Sequence, residues 1–100
     1  MLVMPRGAIM VVARRALVSG RVQGVFYRAT AELKARELGV TGSARNLVDG
    51  RVEVIAYGEA AAVRAFLDWL WIGSTASRVT AVEEIEVEVG TAPPGRFTTR

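Results

Sequence analysis

The chain has 100 residues, of which 51% are hydrophobic and 23% are charged, and its formal net charge is +3. This composition predicts one globular domain that buries roughly 60–70% of its unfolded surface, and it excludes a disordered or fibrous chain. The sequence contains no cysteine and no histidine. Disulfides, thiol nucleophiles, Ser-His-Asp triads and zinc sites with Cys or His ligands are thereby excluded, and a dedicated metal site is not expected.

The charges are spread along the sequence rather than gathered in one segment. Twelve arginines and one lysine are opposed by ten acidic residues, and no basic run occurs, so we expect no nucleic-acid partner. No apolar run approaches the ~20 residues that cross a membrane, and the apolar run 8–13 is too short for an export signal. We therefore expect a cytoplasmic protein that does not bind membranes, with residues 1–12 as a loosely ordered extension and 13–100 as the domain.

The first predicted strand and the first predicted helix are joined by a loop that contains glycine. The apolar stretch 16–19, preceded by two arginines, predicts a strand that ends at Gly20. Residues 25–38 predict a helix because apolar residues recur along one face, and Gly39 is expected to end it. The recurring residues are Tyr27, Ala31, Ala35 and Leu38.

The middle of the chain predicts a β-hairpin followed by a second helix. Strands are expected at 41–47 and 51–57 around an Asp49-Gly50 turn, because Asp-Gly is a strong hairpin signal. The helix is expected at 60–72 and ends at Gly73. Its apolar stripe consists of Val63, Phe66, Leu67 and Leu70.

A fourth strand is predicted where glutamates alternate with apolar residues near the C-terminus. The apolar set is expected to face the core and the glutamates to face water. This set consists of Ile85, Val87 and Val89. The alternation breaks at Val82 and Glu83, which predicts a bulge there, and 97–100 is expected to form a short edge strand.

The resulting order is βαββαβ with a short extra strand at the C-terminus. This order is typical of the ferredoxin-like α+β sandwich, in which two helices cover one face of a four-stranded antiparallel sheet. Because that fold carries many functions, the function has to be argued from the site.

The stretch with the clearest chemistry leads from the first strand into the first helix, and its sequence is Gly20-Arg21-Val22-Gln23-Gly24-Val25-Phe26-Tyr27-Arg28. Glycines let neighbouring main-chain N–H groups converge, and a helix N-terminus adds partial positive charge. Arg28 then offers a planar fork of donors suited to phosphate or carboxylate. The stretch predicts an anion site, and the alternative is an ordinary turn whose arginine is solvated.

This loop and a second stretch, Gly42-Ser43-Ala44-Arg45-Asn46-Leu47-Val48-Asp49-Gly50-Arg51-Val52 followed by Gly58, together resemble the acylphosphatase family. The resemblance extends from about residue 15 to the C-terminal Phe-x-x-Arg. It implies an enzyme that hydrolyses the carboxyl-phosphate bond of small acyl phosphates, without metal or cofactor, and binds inorganic phosphate or sulfate. A monomer is expected.

The resemblance also implies roles for individual residues. Arg28 matches the family's phosphate-binding arginine, and Asn46 matches the asparagine that positions the attacking water. The residues that match the backbone cradle around the phosphoryl group are Gly20, Arg21, Val22, Gln23, Gly24, Val25, Phe26 and Tyr27.

Two positions depart from the family pattern, and two other functions stay open. Ser43 stands where the family usually has a large aromatic residue, and Ala44 is smaller than the usual valine. We expect Ser43 to thin the packing behind Asn46 or to alter the acyl-group pocket. One alternative is a non-catalytic anion-sensing or interaction domain. The other is an RNA-binding module, which needs stacking aromatics on the third strand, where only Tyr57 is present.

Overall fold

The computed structural model describes residues 10–90 and 93–100. The elements in chain order are β1 (Val11–Arg21), α1 (Tyr27–Leu38), β2 (Thr41–Asn46), β3 (Val52–Glu59), α2 (Ala60–Leu70), β4 (Arg78–Val87) and β5 (Phe97–Thr99). The predicted ferredoxin-like βαββαβ order is confirmed, with β5 as a short fifth strand. Among the residues described, no helix is both long and apolar enough to cross a membrane.

The five strands form one sheet in the order β4-β1-β3-β2-β5. Neighbouring strands run antiparallel, except that β5 runs parallel to β2. β5 also contacts α1. The C-terminal residues therefore lie beside both the second strand and the first helix.

The core lies between the sheet and the two helices. Because side chains alternate along a strand, every second residue of β1 and β3 faces the helices. Ala16, Val18 and Val54 do so with no exposed surface. The large side chains that meet them are Tyr27 from α1, Phe66, Leu67 and Leu70 from α2, and Phe97 from β5. Phe97 meets Phe66 edge to face, with 5.5 Å between ring centroids, so an aromatic contact anchors the short fifth strand in the core.

The first strand begins earlier than the sequence predicts. Val11 and Val12, which were expected in the N-terminal extension, are the first residues of β1 and pair with Glu59 and Gly58. The extra length has a structural reason: β3 continues to Glu59, beyond its predicted end at residue 57, and so offers partners to the start of β1. The remainder of the predicted extension, residues 1–9, lies outside the described residues.

The predicted bulge lies in a different place. The register between β1 and β4 shifts between Ser19 and Gly20, whose partners are Ala81 and Val79. Thr80 is therefore the extra residue, and Val82 and Glu83 pair regularly with β1. A bulge strengthens the local bend of a strand, and this one lies at the end of β1 where the chain turns into the loop.

The two faces of β4 are the reverse of the prediction. Glu84 pairs with Ala16, whose side chain faces the helices, and Glu84 reaches Arg64 on α2 at 2.6 Å. Ile85 and Val87 therefore lie on the sheet face that carries no helix, and Val89 lies beyond the end of β4. Because a shift of one residue moves every side chain of a strand to the opposite face, the bulge at Thr80 explains the error.

Candidate active site

The loop between β1 and α1 surrounds a cavity of about 250 Å³. The residues that line it, called the cradle below, are Val22, Gly24, Phe26, Tyr27, Arg28 and Ala29. Ala29 was not predicted, since it has no polar side chain and only its position in the first turn of α1 marks it. Gln23 and Val25 were predicted in the cradle, but they do not line the cavity.

Gly20 and Arg21, which were also predicted in the cradle, belong to β1 instead. They pair with Val79 and Arg78 of β4. Gly20 has a φ of +118°, and a Cβ atom there would lie 2.1 Å from the carbonyl oxygen of Arg78. The close approach of β1 to β4 therefore requires glycine at this position.

Two residues with left-handed backbone conformation lie where the loop leads into α1. Gly24 has a φ of 73° and Phe26 a φ of 62°, and Phe26 is the N-cap residue, so α1 begins at Tyr27 rather than at residue 25. Within the described part of the chain, no main-chain N–H from Gly24 to Ala29 donates to a protein acceptor. Consecutive unpaired N–H groups at a helix N-terminus form a favourable site for an anion.

Arg28 lies in the first turn of α1 and is half-buried. Its Nη1 atom donates a hydrogen bond to the main-chain oxygen of Arg100. The Arg100 main-chain nitrogen in turn donates to the Ala44 carbonyl oxygen at 2.9 Å. The C-terminal residue therefore connects the guanidinium of Arg28 to β2.

Gln23 ties the loop to the β2–β3 hairpin. Its Nε2 atom donates to the carbonyl oxygens of Leu47, at 2.8 Å, and Arg51, at 2.9 Å. The Leu47 N–H also donates to the Arg51 carbonyl oxygen, so Gln23 binds both residues of the pair at the base of the turn. Within the turn, a hydrogen bond from the Arg51 N–H lowers the pKa of Asp49.

Asn46 is the last residue of β2, and its side chain is exposed. It pairs with Val52 across the hairpin and directly precedes Leu47, one of the two residues that Gln23 holds. In the ranges that the structure describes, its amide makes no hydrogen bond to the protein. The amide is therefore available to a water molecule or a ligand.

Two buried side chains lie behind the loop, and sequence reasoning missed one of them. Tyr27 donates its hydroxyl to the Leu70 carbonyl oxygen at 2.8 Å, and burial raises the pKa of this phenol. Ser74, in the loop between α2 and β4, donates its hydroxyl to the Val25 carbonyl oxygen at 2.6 Å. Ser74 belongs to no sequence motif, and it lies 49 residues from Val25, so nothing in the sequence marks it.

Ser43 does not lie behind Asn46, contrary to the expectation. It pairs with Ile55 and Thr98 and faces the side of the sheet without helices, because it is an odd number of positions from Asn46 on β2. There, Ser43 lines a separate shallow cavity of about 270 Å³ together with Ile55, Tyr57 and Thr98. The missing aromatic residue therefore changes the open sheet face rather than the packing behind Asn46.

The open sheet face also carries a buried ion-pair cluster. Glu53 is 6% exposed and accepts hydrogen bonds from Arg15 and Arg45, each at 2.7 Å. Burial raises the pKa of Glu53, but the two guanidinium groups outweigh this effect and hold it below its ordinary value. Arg45, although half-exposed, thereby links β2 to β3.

No group of three or more Asp, Glu, His or Cys side chains in the described ranges is arranged to hold a metal ion. The chemistry available at the cradle is therefore that of main-chain amides, one guanidinium and one carboxamide. These groups stabilise negative charge and orient a water molecule.

Comparison with known proteins identifies the family. The family model for acylphosphatase matches residues 14–98. An acylphosphatase of Nitrosococcus oceani is 52% identical over 80 residues, which are 80% of this chain and 90% of that protein. An acylphosphatase of Chromohalobacter salexigens is 54% identical over 83 residues, which are 83% of this chain and 90% of that protein.

The three-dimensional structure leads to the same family. The structure of an acylphosphatase from Coxiella burnetii matches with a TM-score of 0.85 and 34% sequence identity, over 98% of this chain and 100% of that chain. The similarity therefore covers sequence and fold over nearly the whole length. The chain belongs to the acylphosphatase family.

Proposed function

We propose that Arg28 and the main-chain N–H groups of the cradle bind the phosphoryl group of a small acyl phosphate, and that Asn46 positions the water that attacks it. As a member of its family, the chain hydrolyses the carboxyl-phosphate bond of acyl phosphates. The observation that carries the residue assignment is the cavity itself, which is bordered by Arg28 and by consecutive N–H groups without protein acceptors.

The chemistry of the reaction suits these groups. Phosphoryl transfer needs positioning and stabilisation of charge on the phosphoryl oxygens, and little covalent work from the protein. The water oxygen forms a bond to phosphorus while the bond from phosphorus to the carboxyl oxygen breaks. The carboxylate leaves with the electron pair, and it is a good leaving group, so no general acid is needed.

The proton of the water has to be accepted by a group other than Asn46. A carboxamide oxygen accepts a hydrogen bond, but it is not a base near neutral pH. We therefore assign Asn46 to orienting the water and assign the proton to a phosphoryl oxygen of the substrate. The products are a carboxylate and inorganic phosphate, and the step needs no metal ion or cofactor.

The remaining expectations about the molecule are part of the same proposal. We assign residues 11–100, from the start of β1 onward, to a single domain that acts as a cytoplasmic monomer without a nucleic-acid partner. The sheet face opposite the helices supports the last point, because its cluster of Glu53, Arg15 and Arg45 pairs its charges internally. Gel filtration and cell fractionation test the oligomeric state and the location.

Phosphate release from acetyl phosphate, measured with purified protein in the presence of a chelator, tests the function. Turnover that is lost in Arg28→Ala, with the fold retained, is the expected result. The alternative of a non-catalytic anion-sensing domain predicts that phosphate binds but that acetyl phosphate is stable. Turnover that requires an added metal ion would contradict the proposed mechanism.

A further inference from the structure

The orientation of one peptide group decides where a cradle N–H points. The peptide bond between Val25 and Phe26 is trans, and in a trans peptide the C=O and N–H bonds point in opposite directions. The Val25 carbonyl oxygen accepts the Ser74 hydroxyl at 2.6 Å on the buried side of the loop. The Phe26 N–H is therefore directed away from Ser74, toward the side where Phe26 lines the cavity.

The Ser74 hydroxyl is itself held in place. Ser74 is 8% exposed, and its carbonyl oxygen accepts both the N–H and the hydroxyl of Ser77, at 3.0 and 2.7 Å. A Cβ atom on the preceding Gly73 would lie 2.9 Å from the Tyr27 ring. The 73–77 turn is thus packed tightly against the first residue of α1, so the donor does not have to be ordered when a ligand binds.

The Val25 carbonyl needs such a donor. The next residue, Phe26, has a φ of 62°, a conformation that costs a non-glycine residue energy. Without a partner on the buried side, rotation of the Val25–Phe26 peptide would relieve the loop and turn the Phe26 N–H away from the cavity. A buried carbonyl oxygen that loses its donor favours this rotation as well.

We propose that Ser74 is a positioning residue for the phosphate site, acting through the Val25 carbonyl oxygen to aim the Phe26 N–H at the phosphoryl group. This inference rests on the proposed function of the cradle. Ser74 does not touch the substrate. It acts from the loop between α2 and β4, which carries none of the matching motif residues.

The test compares the parent with Ser74→Ala, Ser74→Thr and the control Ser77→Ala in the full chain. Loss of a preorganised donor costs about 10²–10³ in rate in enzymes where it has been removed. Ser74→Ala keeps the Phe26 N–H but no longer aims it at the cavity, so the loss of rate should be smaller than when a donor is removed. We expect phosphate inhibition to weaken and kcat/KM to fall about tenfold or more. Ser74→Thr keeps the hydroxyl and should stay within about threefold of the parent.

Ser77→Ala is the matched control, because it removes one serine-to-carbonyl hydrogen bond from the same turn while the Ser77 N–H still holds the Ser74 carbonyl oxygen at 3.0 Å and the bond from Ser74 to Val25 stays in place. It should lower the melting temperature and leave kcat/KM near the parent value. The second readout is the amide proton resonance of Phe26 during titration with inorganic phosphate. It should shift strongly in the parent and Ser74→Thr, and weakly in Ser74→Ala.

A folded Ser74→Ala protein with parental kcat/KM and a parental phosphate shift at Phe26 would overturn the inference, as would equal losses in Ser74→Thr and Ser74→Ala. If Ser74→Ala does not fold, Ser74→Cys decides in its place, because a thiol is only a weak donor and the same losses are expected. Measurements on the parent protein distinguish a failure of the proposed function from a failure of the Ser74 inference. A parent that neither turns over acetyl phosphate nor binds phosphate contradicts the proposed function, whereas an active parent whose kinetics do not depend on Ser74 contradicts only the inference.

Discussion

The buried carboxylate on the open sheet face allows a quantitative prediction about stability. Replacing Glu53 by glutamine keeps the size and one acceptor oxygen but removes the charge that Arg15 and Arg45 share. A hydrogen bond to a charged group contributes about 1.5–3 kcal/mol. Because Arg15 and Arg45 are 36% and 48% exposed, water replaces part of each contact. We therefore expect a loss of about 1–2 kcal/mol, or roughly 5–15 °C in Tm.

Glu83→Gln is the matched control for this substitution. Glu83 lies on the same sheet face, because it pairs with Leu17 beside Glu53, and the described residues offer it no ion-pair partner. Its replacement should change stability by no more than about 0.5 kcal/mol. Thermal unfolding followed by circular dichroism measures both variants. Equal melting temperatures for the two would refute the reasoning about the Glu53 cluster.

The same cluster predicts a dependence of stability on pH. Because the pKa of Glu53 is held below its ordinary value of 4.5, the folded state binds fewer protons than the unfolded state, and stability falls as the pH falls. This contribution is complete above about pH 4.5 and is lost as the pH drops through the lowered pKa. Melting temperatures from about pH 3 to about pH 7 should fall less steeply in Glu53→Gln than in the parent. A steeper fall in the variant would contradict the sign.

Three further predictions concern the site. Arg28→Lys should lose most of the activity, because a single ammonium does not bind two phosphoryl oxygens in one plane, and acetyl phosphate hydrolysis at parental rate would contradict this. Inorganic phosphate at tens of millimolar should raise the Tm of the parent but not of Arg28→Ala, beyond the general effect of salt, as scanning calorimetry measures. Gln23→Met should lower kcat while the protein stays folded, because the loop is no longer tied to Leu47 and Arg51; unchanged kinetics would show that this tie does not serve the site.

Much of the fold follows from local patterns in the sequence. The Asp49-Gly50 turn, the Gly39 end of α1 and the apolar stripe of α2 each have a physical cause within a few residues. The Gly39 N–H donates to the Arg36 carbonyl oxygen, as expected at a helix end. Such signals depend only on residues close together in the chain, so they can be recognised from the sequence alone.

The errors arose where distant parts of the chain decide the structure. The faces of β4 depend on the bulge at Thr80, which is set by the close approach of Gly20 to Arg78. In isolation, the alternation of glutamate and apolar residues assigns Ile85 to the core. The bulge instead places Glu84 on the helix side, where it pairs with Arg64 on α2, a partner 20 residues away.

The candidate active site, like the fold, was predictable only in part. Arg28 and most of the cradle are recognisable as a motif, whereas Ser74 has no signature and acts through a carbonyl oxygen. Gln23 belongs to the motif but holds the hairpin beside the loop instead of lining the cavity, and a sequence pattern does not distinguish these two roles.

The central claim is that the cradle binds the phosphoryl group while Asn46 positions the attacking water. The most direct test measures kcat and the phosphate inhibition constant of Asn46→Ala together. Asn46 is exposed and makes no hydrogen bond to the described protein residues, so truncation should leave the fold intact. We predict that kcat falls roughly 10²-fold while the inhibition constant for phosphate stays within about threefold of the parent. A folded Asn46→Ala protein with parental kcat, or one whose phosphate binding falls in parallel with kcat, would contradict the claim.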